Sequence, residues 1–438
     1  MDDTALSYAD TVDWLFLLQF VGIKMGLDNI RTLAMAWDNP QRRYPVVHIA
    51  GTNGKGSTAC SIASALQAAG YRTGLYTSPH LVDFSERIRV DGVPIPAEIV
   101  VAYAHSLRSS IERLNATFFE ATTLMAFHWF AEQKVDVAVV ETGLGGRLDA
   151  TNIVDPVLSV ITSLSLEHRE FLGETIEEIA REKGGIIKSG VPVVTSVRQP
   201  AALRVLSDIA QQREATLLQS SAEARVLHVD DLDRMFCRVP DFDLPVEVAL
   251  VGAHQVENAA LALTALERLR ERGFVRLGDA AMRRGLREVR ARTGLRGRLE
   301  RLHEAPELVI DVGHNPDGVR ALLAAWCALR AAGDTDLLLG VLEHKDLQGM
   351  LSHLTHFSFR SITLIEAASH EARSLESMQR DAEAAGLQVQ TTANSADWFR
   401  EKVVRNVTGS VLMFGSHYVV GAFLREWPEK MQNGGLLP

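Results

Sequence analysis

The sequence predicts an α/β protein of two domains, each built on a mainly parallel sheet. Three observations lead there. Short apolar runs of strand length alternate almost throughout with amphipathic or alanine-rich stretches of helix length, the pattern of a parallel sheet with helices on both faces. A glycine-rich loop, Gly51-Thr-Asn-Gly-Lys-Gly-Ser57, joins an apolar run to a good helix former. Finally, 438 residues exceed what one hydrophobic core usually holds.

Val46–Ala50 and residues 72–77, 135–141, 157–162 and 191–197 read as short buried strands, with helices such as Ala97–Leu114 and residues 123–133 between them. Residues 215–250 alternate and contain few helix formers, which predicts a small antiparallel excursion. Helical stretches over 254–272 and 277–291 close the first half. The basic, glycine-containing run 292–298 reads as a linker. Alternation then restarts, with strands expected at 308–312, 337–342, 362–367, 387–391 and 411–415. The boundary falls near residue 296: a larger nucleotide domain over 1–295 and a smaller α/β domain over 296–438. No internal repeat or low-complexity tract interrupts either.

A net charge of −10, from 45 basic and 55 acidic residues, disfavours nucleic acid as the main partner. Cys60, Cys237 and Cys327 lie far apart with no C-x-x-C pair, which argues against zinc and disulfides and fits a reducing compartment. The first residues are acidic, and the apolar stretch 14–23 is too short to span a bilayer and contains Gln19. A cytosolic enzyme without a membrane partner is the expectation.

The loop carries the strongest chemistry. Gly51, Gly54 and Gly56 let the backbone turn tightly and aim several N–H groups at one anion. The helix that follows adds its positive end. Lys55 would neutralise phosphate charge, and Ser57 would sit near a bound magnesium. Gly51 and Lys55 are only four apart, closer than in the usual phosphate loop. Other candidates stand beyond strand ends, where functional groups gather in open α/β sheets. Glu141 is either a ligand for a hard cation or a solvated strand-end acid. Ser78, before Pro79, is extended and could reach a metal or phosphate, or simply begin a turn. His168 is a third strand-end group, and as a lone residue equally a surface histidine. Lys183 ends a helix over 175–183, where a cation facing the helix dipole is sufficient explanation. Asp311, in Asp-Val-Gly-His314-Asn-Pro, stands where an acid could accept hydrogen bonds from a ribose.

Together these residues resemble the folylpolyglutamate synthase/dihydrofolate synthase branch of the Mur ligase superfamily. The matching blocks, in the family's order, are GTNGKGS at 51–57, SPHLVDFSER at 78–87, FEATT at 119–123 and ETGLGGRLDATN at 141–152. They continue with LEHREFLG and EKGGIIK within 166–188, GRLE at 297–300 and DVGHNP at 311–316. The resemblance implies a P-loop Mur-ligase-type domain followed by a smaller Rossmann-like C-terminal domain. It makes Gly54, Lys55, Gly56 and Ser57 the ATP phosphate loop, with Asn258, Arg298 and Asp311 as further ATP contacts. Ser78, Glu141 and His168 become magnesium ligands. Lys183 matches a lysine that the family commonly carries carbamylated, helping to hold a second magnesium. Thr117, Phe118, Phe119 and Glu120, with Leu148, Asp149 and Ala150, align with segments that bind the pterin-bearing substrate.

Departures from the family pattern are Gly184 for an alanine, Glu167 for an aspartate, Val312-Gly313 for Gly-Ala, and His344-Lys345-Asp346 for Asp-Lys-Asp. An early pterin-contact segment reads Ile23-Lys-Met-Gly-Leu27, with Lys24 where an acid can stand. The implied activity is ATP-dependent ligation of L-glutamate to a folate or dihydropteroate carboxylate through an acyl phosphate. Lys55, Lys183 and His314 are the expected catalytic groups, and a monomer acting on both acceptors is the expected form. A peptidoglycan-precursor ligase is the alternative within the superfamily. An ATP-operated regulatory protein and a small-molecule kinase are the alternatives outside it.

Overall fold

The computed structural model describes residues 7–427 except 23, 25, 241, 243 and 406. Ile23 and Met25 of the early pterin-contact segment therefore lie outside the described residues. The chain divides into two compact units, Met1–Ala224 with Glu257–Leu295, and Arg225–Val256 with Arg296–Pro438.

The first unit is organised by one sheet of β1 (Val46–Ala50), β2 (Thr73–Tyr76), β3 (Ile88–Val90), β4 (Val93–Pro94), β5 (Val137–Glu141), β6 (Leu158–Ile161), β7 (Val193–Thr195) and β8 (Leu217–Gln219). Their order is β4-β3-β2-β5-β1-β6-β7-β8. From β2 to β8 all pairs are parallel, and β3 and β4 turn back antiparallel at one edge. β1 and β5 are buried at every position, as mainly apolar runs are when helices cover both faces. Tyr76, Phe84, Phe127 and Phe130 belong to one buried cluster of this unit, and Ile161, Leu164, Ile186 and Leu206 to another.

The helix expected over 123–133 begins at Phe118 and runs to Glu132. Its start is set by a capping box, Thr117 with Glu120, which satisfies N–H groups that the first turn leaves unpaired.

The second unit has a six-stranded sheet of β12 (Glu300–Glu304), β13 (Glu307–Ile310), β14 (Thr335–Leu339), β15 (Ser361–Leu364), β16 (Gln390–Thr391) and β17 (Ser410–Phe414), with a three-stranded antiparallel sheet of β9 (Arg225–Asp231), β10 (Arg234–Arg238) and β11 (Val246–Val248). The larger sheet is ordered β12-β13-β17-β14-β15-β16 and is parallel except at β12. Sequence patterning missed β12, a half-buried edge strand with three charged residues among its five.

The excursion read at 215–250 is split. Residues 217–219 join the large sheet as β8, whereas β9–β11 belong to the second unit. Leu232 is buried in that unit's core with Val309 and Trp326. Asp231 accepts hydrogen bonds from Arg301 and, at 3.0 Å, from Arg330, which also reaches Glu307 at 2.7 Å. Such contacts join segments far apart in sequence, and local patterning cannot register them.

Candidate active site

Four adjacent parallel strands, β2-β5-β1-β6, deliver their carboxyl ends to one edge of the first unit's sheet. Ser78 follows β2, Glu141 ends β5, the glycine loop follows β1, and His168 lies beyond β6. Register places Ile49 opposite Glu141 and Ala50 opposite Ile161, so the loop leaves the sheet between Glu141 and the β6 extension.

Lys55 opens the helix Lys55–Ala68, capped by Gly54 in the left-handed region at φ 87°. A side chain at Gly54 would also collide with the Asn258 amide, so glycine is required for conformation and for space. Asn258, from the helix Ala253–Glu271, is thus brought against the loop. Thr52 N–H donates to Ser163 O at 2.8 Å, tying the loop to the β6 extension. The Lys55 ammonium donates to Thr52 O at 3.2 Å and stands 4.0 Å from the buried Glu141 carboxylate. Ser78 N–H points at the other Glu141 oxygen at 3.3 Å.

Lys183, a helix-end cation on sequence physics alone and a carbamylated metal-holding group by the resemblance, is buried, and its amine donates to the Gly51 carbonyl at 2.7 Å. Burial first, and Lys55 second, lower its pKa to about 7, while Glu167 and Asp149 pull it up. A solvated helix-end lysine would have no such shift. Its helix, Ile176–Gly184, is started by the Thr175–Glu178 capping box. His168 takes a left-handed conformation, φ 53°, with its ring 3.9 Å from Glu167. That backbone is costly for a non-glycine residue.

The segments aligned with pterin binding also meet here. The Phe119 ring lies on Gly143, with 2.6 Å from a Cβ built there to Cζ, and 5.9 Å from the Tyr76 ring. Phe118 is buried, stacked on Phe16 at 5.4 Å with the Arg87 guanidinium 5.1 Å from its centroid. Glu120 closes the capping box on Thr117 at 2.7 and 3.0 Å. Asp149 is buried and engaged by the chain itself. Its Oδ2 accepts from Gly143 and Leu144 N–H at 2.9 Å each, and its Oδ1 from Thr151 N–H at 3.0 Å and the Thr151 hydroxyl. Burial raises its pKa, and these donors oppose the rise. Ala150 is buried beside it and Leu148 is half-buried. Lys24 donates to Asn115 O at 2.7 Å.

Arg298, Asp311 and His314 are in the second unit. Asp311, following β13, accepts from Leu299 N–H at 2.9 Å and Gly313 N–H at 2.7 Å. Nδ1 of His314 lies 2.9 Å from Val312 O, and a carbonyl can only accept, so Nδ1 carries the proton. His417, which opens the helix His417–Glu426 after the neighbouring β17, holds its ring 5.5 Å from that of His314. Sequence reading missed it, for nothing local marks a histidine opening a helix.

Among the described residues no three His, Cys, Asp or Glu side chains converge as a metal cluster, and no helix is long and apolar enough to cross a membrane.

Against known proteins, the Mur ligase middle domain matches residues 49–266 and the Mur ligase glutamate ligase domain residues 297–417. The dihydrofolate synthase/folylpolyglutamate synthase of Bacillus subtilis is 38% identical over 370 residues, covering 80% of this chain and 85% of that protein. The chain belongs to the folylpolyglutamate synthase/dihydrofolate synthase family. The folylpolyglutamate synthase of Lacticaseibacillus casei is 35% identical over 378 residues, 82% of this chain and 85% of that one. The Mycobacterium tuberculosis folylpolyglutamate synthase, solved with ADP and AMPPCP, superposes with a TM-score of 0.83 at 32% identity, over 94% of this chain and 98% of that one. The two-domain Mur-ligase architecture expected from the sequence is therefore present, and the chain is an ATP-dependent ligase of this family.

Proposed function

We propose that this ligase joins L-glutamate to the carboxylate of a folate-type acceptor, taking both dihydropteroate and tetrahydrofolate polyglutamates, as a cytosolic monomer. The observation that carries the reading is the row β2-β5-β1-β6, which sets Ser78, Glu141, the lysine-bearing glycine loop and His168 at consecutive strand ends. Gly54, Lys55, Gly56 and Ser57 hold the ATP phosphates, and Asn258 fixes the loop's shape from beside it. Arg298 and Asp311 are the remaining ATP contacts.

The donor set suits magnesium. It offers a hydroxyl, one buried carboxylate and one imidazole rather than a cage, and magnesium usually keeps waters and phosphate oxygens beside one or two carboxylates. Ser78, Glu141 and His168 would hold one ion, and Lys183 as a carbamate would help hold a second. When bound, these ions supply charge screening worth several kcal/mol at the transferring phosphoryl group. Carbamylation needs a neutral amine, and a pKa of about 7 leaves Lys183 neutral about half the time at neutral pH.

ATP's γ-phosphoryl passes to the acceptor carboxylate, whose oxygen otherwise leaves poorly. Lys55 stabilises the charge on the transferring group. The α-amine of glutamate attacks the acyl phosphate, and the tetrahedral intermediate expels phosphate as the amide forms. His314, protonated on Nδ1 toward Val312 O, keeps Nε2 as the acceptor that orients the incoming amine. Phe119 with Gly143, and the Leu148–Ala150 turn, form the acceptor's side of the site, where Asp149 shapes the wall from within.

The test is phosphate release with magnesium, ATP and L-glutamate, comparing dihydropteroate with tetrahydrofolate as acceptor. Glutamate-dependent release with both supports the reading, and release with neither ends it. A UDP-linked muramyl acceptor giving release instead would favour the peptidoglycan-precursor alternative.

A further inference from the structure

The loop after β5 and the helix that carries Lys183 are fastened to each other by groups with no part in the reading above. Arg147 N–H donates to the Glu182 carbonyl at 2.8 Å. Its guanidinium sets Nε and Nη2 on one oxygen of the Glu182 carboxylate, at 3.0 and 2.8 Å. Asn152 directs its amide nitrogen at two carbonyls from different segments, Arg147 O at 2.9 Å and Gly185 O at 3.2 Å. That matches the two N–H donors of a side-chain amide. The Asn152 carbonyl accepts from Lys188 at 3.1 Å. Between them, Gly146 lies so close to the helix that a Cβ would stand 2.9 Å from Lys183 O and 3.0 Å from Glu182 O.

These contacts converge on residues 182–185. Lys183 is the next-to-last residue of its helix, Ile176–Gly184, so the position of that last turn sets where its flexible side chain begins. The amine must reach the Gly51 carbonyl at 2.7 Å, and a turn left to fray would surrender that placement.

We propose that Asn152 is a positioning residue for Lys183, with Gly146 and the Arg147–Glu182 pair completing the same clasp. The inference rests on the reading of Lys183 as the carbamate-bearing group. Asn152 acts through backbone carbonyls and touches neither substrate nor metal.

Asn152→Asp keeps the shape but sets acceptor oxygens against two carbonyls. It is expected to lower kcat about ten- to a hundredfold, the range seen for outer partners of metal-binding groups. KM for ATP should stay within about twofold, because the side-chain hydrogen bonds of Asn152 go to Arg147 and Gly185 and not to the residues that hold the phosphates. The independent readout is the carbamate carbon signal from 13C-bicarbonate, recorded without ATP or magnesium and assigned by its loss in Lys183→Arg. Wild type is expected to show it and Asn152→Asp to lose most of it. A variant that retains both signal and kcat overturns the proposal. A wild type without signal, beside a variant that still loses kcat, overturns the carbamate and leaves the clasp standing. If neither signal nor kcat distinguishes the two proteins, the clasp falls as well.

Should Asn152→Asp fail to fold, Gly146→Ala pushes the same turn from the other side. Arg147→Met removes the ion pair at a side chain that is 52% exposed. Both are expected to lower kcat severalfold with KM for ATP unchanged, and unchanged kcat in both is incompatible with the proposal.

Discussion

Two glycine-rich loops leave neighbouring parallel strands of the first unit, Gly51–Ser57 after β1 and residues 143–146 after β5, and they handle charge in opposite ways. The second loop carries its own anion. The Asp149 carboxylate accepts from Gly143 and Leu144 N–H and is locked in turn by Thr151. The first loop gathers amines instead: Lys55 opens its helix, and Lys183 donates to its Gly51 carbonyl. A loop whose N–H groups already hold a carboxylate is a scaffold. One ringed by lysines suits an anion brought from outside. Each has three glycines, and beyond Lys55 the difference lies in what the rest of the chain places against each.

The largest expected effect breaks the first loop. Gly54→Ala forces a side chain into the Asn258 amide at a left-handed position, and kcat/KM for ATP should fall at least about a hundredfold, a loss of about 3 kcal/mol at the transition state. Steady-state kinetics on folded variant would measure it, and near-normal ATP kinetics would remove this loop from the phosphate site.

Next, Asp149→Ala strips the second loop of its carboxylate and leaves three N–H groups without an acceptor, that of buried Thr151 among them. Urea unfolding should show a loss of about 3 kcal/mol. If stability were unchanged while acceptor binding vanished, Asp149 would be a substrate ligand and the contrast between the loops would fail.

A pH series probes what supports that carboxylate. His48 is buried in β1, and its pKa falls from 6.5 to about 3, chiefly through burial and secondarily through Lys188. Above pH 6.5 neither state is protonated there, and the histidine has no effect. Between 6.5 and 3 the unfolded chain binds a proton that the native chain refuses, so stability drops as pH falls, by up to about 1.4 kcal/mol per unit. His254, lowered to about 4 in the second unit by burial and then Arg298, adds a similar slope. His48→Leu should be less stable at neutral pH yet lose one proton's share of the acid slope. An unaltered slope would mean that His48 is not the neutral residue its surroundings require.

The smallest effect belongs to Thr151→Val. The Thr151 hydroxyl donates to Asp149, so it accepts from His48 Nε2 at 2.8 Å. Removing it should cost about 1–2 kcal/mol with acceptor KM unchanged, as thermal unfolding beside kinetics would show. A large KM effect instead would tie the second loop directly to substrate.

The legible part of this protein was local. β1 and the helix Ala97–Leu114 coincide with their expected bounds, because period and punctuation lie within the segment itself. The helix at Phe118 was read too short, since its start depends on a side-chain cap rather than apolar period. The edge strand β12 was missed because its charged face carries no strand signal.

By itself the sequence determined the α/β class, most of the parallel strands, the phosphate-loop motif and, through its ordered blocks, the family. Tertiary structure alone decided which unit holds β9–β11, which glycine loop already has an anion, and that Lys183 is a buried amine against Gly51 rather than a solvated helix end. The physical reason is range. Periodicity and turn chemistry act over a few residues, whereas burial, hydrogen-bond satisfaction and pKa depend on groups that only the fold brings together.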